Sequence, residues 1–189
     1  MNTVLIIATK EIRDGMRNRW VLAATLLLGV LALALALVGS APAGSVAATR
    51  LDVTGIGLSS LSIFLVPLIA LLLSYEAIVG EIERGTMFLL LAYPVARWQV
   101  VLGKFIGHVA ILTFATVVGF GVAGLTVGTG AGGDAESWRA FGALIGSSVL
   151  LGAVFVALGY LISAAVRDRG TAAGLAVAVW LVFVILYDM

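Results

Sequence analysis

Residues Glu81–Lys104, EIERGTMFLLLAYPVARWQVVLGK, form a charged island between two long apolar runs. Glu81, Glu83 and Arg84 come first, Gly85-Thr86 follow, and Met87 to Ala92 make a short apolar run. Tyr93-Pro94 breaks that run, Arg97 comes next, and Gly103-Lys104 leads into the following apolar segment. Pro94 has no amide to donate and biases Tyr93 away from helix, so a helix starting near Glu81 should stop by Ala92. The expectation is one rigid helix of roughly three turns over 81–91. It would lie outside the hydrocarbon, between membrane spans, in reach of a soluble partner. Taken alone, the same residues also fit an ordinary solvated loop helix.

Composition sets the class. The chain is 62% hydrophobic and 11% charged, where soluble domains carry about 25% charged residues. An all-α polytopic membrane protein follows. The net charge of +1, with no clustered basic face, implies no nucleic-acid partner. There is no cysteine, and His108 is the single histidine. A metal site within one chain is therefore not expected, because zinc and copper need several nitrogen or sulfur ligands.

Working outward, residues 3–18 read as an amphipathic interfacial helix. Leu5, Ala8, Ile12 and Met16 share one face, and Lys10, Arg13, Asp14 and Arg17 the other. A plain charged stub is the bland alternative. Five apolar runs follow, at about 20–38, 53–75, 105–127, 140–166 and 170–187, each close to the roughly 20 residues that span a bilayer. Ala41-Pro42-Ala43 imitates a signal-peptidase site, but the run before it is too long for a signal peptide, so it reads as a retained span. Pro67 inside the second run should kink it. Glu76 sits either at the interface or paired with Arg97 or Lys104. Lys104 can snorkel to the interface. His108 is either a proton-sensitive element or a hydrogen-bonded histidine. Gly128–Gly133 (GTGAGG) matches a dinucleotide fingerprint by letter only; no strand precedes it, so it reads as a loop. Gly103-x3-Gly107, Gly142-x3-Gly146 and Gly170-x3-Gly174 offer close-packing faces.

The spacing in the island narrows the reading. Glu81-x3-Gly85-Thr86-x3-Leu90-x2-Tyr93-Pro94-x2-Arg97-x5-Gly103-Lys104 resembles the segment after the second span of ABC-2 type transporter permeases. Ile7–Trp20 resembles the family's amphipathic entry helix, and Leu65–Gly80 its second span. Within the family, Ile7–Trp20 and Leu65–His108 are most similar to the NosY type, the permeases of nitrous oxide reductase maturation transporters. The resemblance implies that 81–91 includes a coupling helix, with Glu81, Glu83, Arg84, Gly85, Thr86 and Leu90 facing an ATPase subunit. Glu76, Tyr93, Pro94, Arg97 and Lys104 would support the coupling loop. Glu81 and Glu83 either favour the helix dipole or pair with cations on the partner.

The resemblance also implies a dimer of ATPase subunits, which bind ATP and Mg, and a second copy of the permease. The long uncharged faces of the first two spans and the fifth, with the small residues Gly170, Ala173 and Gly174, suggest that two copies meet through the first two spans or the fifth. A periplasmic accessory protein and the bacterial inner membrane complete the picture. The complex would pass a sulfur species or an assembly signal for the copper-sulfur site of nitrous oxide reductase. Family members have six spans, so the chain reads as one lacking the last. It carries no phosphate-loop motif, since Trp98 stands where the first glycine should be and Phe105 follows Gly103-Lys104. No catalytic cluster stands out, so the chain reads as no enzyme. The alternatives are an exporter of a drug, lipid or polysaccharide, and a membrane anchor without transport of its own.

Lysine and arginine set orientation. Lys10, Arg13, Arg17, Arg19, Arg84, Arg97, Lys104, Arg167 and Arg169 fall on one side of a five-span arrangement, and only Arg50 and Arg139 on the other. The first side, with the N-terminus and the island, should be cytoplasmic. The natural lack of cysteine makes the test direct: Ser45→Cys and Thr129→Cys should react with an impermeant maleimide from outside, and Thr86→Cys should not. Labelling at position 86 alone would invert the topology.

Overall fold

The computed structural model describes residues 3–39, 49–129 and 134–189. Ala41-Pro42-Ala43 and Gly130–Gly133 lie outside the described residues. All regular structure among the described residues is helical. The order is α1 (Thr3–Met16), α2 (Arg19–Gly39), α3 (Arg50–Ser74), α4 (Val79–Glu83), α5 (Thr86–Leu91), α6 (Arg97–Gly128), α7 (Ala135–Ala165) and α8 (Arg169–Asp188).

Five helices, α2, α3, α6, α7 and α8, are long and apolar enough to cross a membrane, matching the five expected spans. At 32 residues and 1.5 Å per residue, α6 is about 48 Å long and exceeds a hydrocarbon core of roughly 30 Å. An upright α6 therefore extends beyond the bilayer core. The helix starts are locally coded. Thr49 and Asp52 form a reciprocal capping box on α3, and Asp134 accepts the Ser137 amide at 2.8 Å on α7. The Thr49 and Ser137 hydroxyls also meet at 2.9 Å, joining the two starts. Helix α3 runs through Pro67 without interruption. One turn before that proline, the Phe64 carbonyl accepts from Trp180 Nε1 on α8 at 2.9 Å.

Two apolar cores fill the bundle. One joins α2, α3, α6 and α7 through Leu28, Leu51, Leu58, Phe120 and Phe141. The other, nearer the island, joins α3, α6, α7 and α8 through Val66, Leu71, Leu112, Phe155, Val156 and Ala176. Lipid is as apolar as leucine, so helices associate here by close packing rather than by escape from water. Glycines permit that approach. A Cβ at Gly119 would lie 3.0 Å from Leu28 Cβ, and one at Gly152 would strike Leu112 and Val66. The sequence's close-packing faces divide. Gly103 and Gly107 receive Ile7 and Glu11 of α1, whereas a Cβ at Gly142, Gly146 or Gly174 would meet no atom of the described residues within 4 Å.

Helix α1 packs on α6, but not by the whole face its hydrophobic periodicity selects. Val4, Ile7 and Ala8 are buried, while Leu5 is 57% exposed and Ile12 and Met16 are half-buried. The packed stripe follows the glycine hollows of α6, and hydrophobic periodicity cannot distinguish a face against protein from one against lipid.

Gly159 tests the packing. A Cβ there falls on the Ser74 hydroxyl, which is buried and already donates to the Ala70 carbonyl at 2.7 Å. Gly159→Ala should cost about 1–3 kcal/mol through overpacking and lower the melting temperature of the solubilised protein. Gly142→Ala, which meets nothing, should leave it unchanged.

Candidate functional site

Beyond Ser74 the chain turns through residues 75–78 into α4. A helix leaves its first amides without intrahelical acceptors. Here the buried Ser163 hydroxyl oxygen, on α7, accepts from both the Ile78 and Val79 amides at 3.0 Å. The cap of α4 is thus supplied by another helix.

The single helix expected over 81–91 is two short helices. Helix α4 ends at Glu83, Gly85 takes φ +72° and ψ 0°, and α5 starts at Thr86. The left-handed conformation costs an ordinary residue roughly 1–2 kcal/mol and glycine almost nothing. A Cβ at Gly85 would meet nothing within 4 Å. Within the chain, the position therefore calls for glycine through its dihedral angles rather than for room. The Thr86 hydroxyl spans the break, donating to the Glu81 carbonyl at 3.3 Å. Helix α5 carries Leu90 and ends at Leu91, just ahead of Tyr93-Pro94, as the proline argument requires.

Lys104 does not snorkel. Its side chain is 5% exposed, and Nζ lies 2.7 Å from Glu81 Oε1 and 3.0 Å from Glu11 Oε1. One buried ammonium therefore joins α1, α4 and α6. A buried ion pair adds little net stability, but removing one partner strands a charge and costs about 3–5 kcal/mol. Burial pushes the Glu11 carboxyl up most strongly. The Lys104 ammonium with its hydrogen bond, and then Lys10, outweigh burial and hold Glu11 below its ordinary value of 4.5. One helical turn further along α6, His108 Nδ1 and Tyr160 Oη hydrogen-bond at 2.7 Å, so His108 is a hydrogen-bonded core histidine.

A second anchor holds the other side of α4. Glu83 accepts from the Arg169 backbone amide at 2.8 Å and from its side-chain Nε. Glu76 pairs with neither Arg97 nor Lys104. It lies 3.8 Å from Arg169, partly exposed. Arg84, Pro94 and Arg97 are exposed and join neither anchor. Past the two anchors the surface turns apolar: Phe88, Leu89 and Tyr93 are 73%, 69% and 70% exposed, and Trp98 follows on the first turn of α6. The segment thus combines a firmly held base with an uncovered aromatic tip.

The sequence reading missed Glu11, Ser163 and Arg169. Glu11 was detectable in principle. It falls at helical spacing with Val4, Ile7 and Ala8, an acid on an otherwise apolar stripe. Ser163 and Arg169 lie about 80 residues from their partners and carry no local signal.

Five candidate membrane helices, with the short pair α4–α5 between α3 and α6, make a multi-pass helical bundle. The chain belongs to the ABC-2 family: residues 5–189 match the family described as ABC-2 family transporter protein. It is 49% identical over 191 residues to the probable ABC transporter permease protein NosY of Stutzerimonas stutzeri, covering all of this chain and 69% of that protein. It is 48% identical over 192 residues to the same-named protein of Pseudomonas aeruginosa, covering all of this chain and 70% of the relative. The chain is therefore a NosY-like permease subunit, and not itself a catalytic ATPase.

Lys104→Met should lower stability by about 3–5 kcal/mol, because Glu11 and Glu81 then share a buried site without a cation. The loss should be largely recovered in the triple variant that adds Glu11→Gln and Glu81→Gln. Glu11 also sets an acid limit. A carboxylate whose folded pKa is depressed contributes stability that is full above its ordinary value and is lost as pH falls through the folded one. Melting temperature against pH should therefore show an acid-side decline beginning below 4.5 that Glu11→Gln reduces.

Proposed function

We propose that the chain is the transmembrane subunit of a transporter that couples ATP hydrolysis by a separate ATPase subunit to maturation of the copper-sulfur site of nitrous oxide reductase. Two copies would form the membrane unit in the bacterial inner membrane, with the N-terminus and α4–α5 cytoplasmic. A sulfur species or an assembly signal would pass to the periplasmic side, where an accessory protein receives it. ATP and Mg would be bound by the ATPase dimer.

The observation that carries this reading is the exposed tip of α5 on an anchored base. Phe88, Leu89 and Tyr93 offer a soluble partner an apolar contact. The ion pairs of Glu81 and Glu83 carry a displacement of that contact into α6 and α8. A partner that binds differently in its two nucleotide states can shift the permease only by that difference in affinity. A clamped base limits how much of the difference is lost in local bending. The charge asymmetry along the chain supports the orientation, and the similarity to NosY supports the cargo.

Gly85 supplies the test. Asn tolerates the left-handed region and Val does not. In the assembled complex, Gly85→Val should keep membrane insertion and ATPase activity while strongly reducing copper-site content of the reductase. Gly85→Asn should retain most of both. Wild-type maturation with Gly85→Val, in a complex of normal composition, would show that this segment does not couple the two activities.

A further inference from the structure

Helices α2 and α3 approach each other far from the island, where a Cβ at Gly57 would lie 3.9 Å from Leu35. Toward the island they diverge. A crevice of about 470 Å³ opens between Ala24 and Leu27 on one wall and Leu65 and Leu72 on the other, with Ile111 and Ala115 of α6 behind. From Leu65 to Glu76 it runs about 16 Å at 1.5 Å per residue, half of a roughly 30 Å hydrocarbon core. That is the depth of one leaflet.

The crevice ends at Asn18 and Glu76. Both also line a second, polar cavity of about 280 Å³. Lys10, Arg84 and Lys104 face Glu11, Asp14, Glu76 and Glu81 there, so acids outnumber bases. Lys104 is neutralised by Glu11 and Glu81, and Lys10 bonds Glu11 and Asp14. Two groups remain uncommitted. Arg84 forms no ion pair among the described residues. Glu81 Oε2 is buried without a hydrogen-bond partner, and such an atom carries a desolvation cost until a donor reaches it.

An apolar slot one leaflet deep, ending in a polar mouth with one free guanidinium and one unsatisfied carboxylate oxygen, matches a single class of molecule. We propose that this composite cavity binds an aminophospholipid of the phosphatidylethanolamine type from the leaflet at the island end. One acyl chain lies between α2 and α3. The phosphate meets Arg84, and the ammonium donates to Glu81 Oε2 and Glu76. Phosphatidylglycerol fills the same slot but brings no ammonium to meet the unpartnered Glu81 Oε2. The site is independent of what the permease transports. It also places a lipid headgroup against the residue that Lys104 holds.

The purified full chain is exchanged into nanodiscs holding equal amounts of palmitoyl-oleoyl phosphatidylethanolamine and palmitoyl-oleoyl phosphatidylglycerol, and the lipid retained on release is read by native mass spectrometry. Wild type should retain phosphatidylethanolamine over phosphatidylglycerol by roughly tenfold, equivalent to about 1.4 kcal/mol. Ala24→Phe fills the slot from α2 and should remove the retained lipid. Leu72→Trp fills it from α3 and should do the same, which keeps the test decisive if one variant misfolds. Glu81→Gln should bring the two lipids toward equal retention while a chain stays bound. Equal retention of both lipids by wild type, or retention unaffected by either filling substitution, means annular lipid only and overturns the proposal.

Discussion

The Lys104 ammonium is the point on which this end of the molecule turns. It is buried where α1, α4 and α6 meet, and a buried cation must be matched by anions. Glu11 and Glu81 supply them from opposite sides. The arrangement adds little net stability, because desolvation offsets most of the attraction. Its effect is geometric. Neither α1 nor α4 can leave α6 without exposing or stranding a charge, so the three move together or not at all. The glycines at 103 and 107 make the close approach possible, because any larger residue would hold α1 away.

From that point the restraint spreads outward. Helix α4 is only five residues long, too short to persist by its own hydrogen bonds, since isolated helices need about 12–15 residues even in favourable sequences. It exists because Ser163 caps it from α7, Arg169 holds Glu83 from α8, and Lys104 holds Glu81 from α6. A segment built this way has its position fixed by the spans, whereas α5, beyond the left-handed Gly85, leaves Phe88 and Leu89 exposed.

The spans were legible because uninterrupted apolar runs of bilayer length have few other readings. The end of α5 was legible because Pro94 leaves the backbone no choice. The break at Gly85 was not. A glycine among helix-compatible residues reads equally as a weak helical position or as a left-handed cap, and only the packing of the segments on either side decides. The partners of Lys104 and Glu76 were out of reach for a different reason. Lys104 stands 93 residues from Glu11, and Glu76 stands far from Arg169, so local spacing could suggest only the nearer charges. Glycine pairs were visible as letters. Which of them face another helix, as Gly103 and Gly107 do, and which face outward, as Gly142 and Gly146 do, depends on how the helices are rotated.

The separation of Glu11 from Lys104 also has a meaning in time. Chains are synthesised from the N-terminus at about 5–20 residues per second, so α1 is complete roughly 5 to 20 seconds before the residue that anchors it exists. Through that interval Glu11 has its wet surroundings and its neighbour Lys10 for company. When α6 enters the membrane, it brings the glycine hollows and the ammonium together. Helix α1 therefore finds its place only after α6 has been made, and its docking reports that α6 has been correctly inserted.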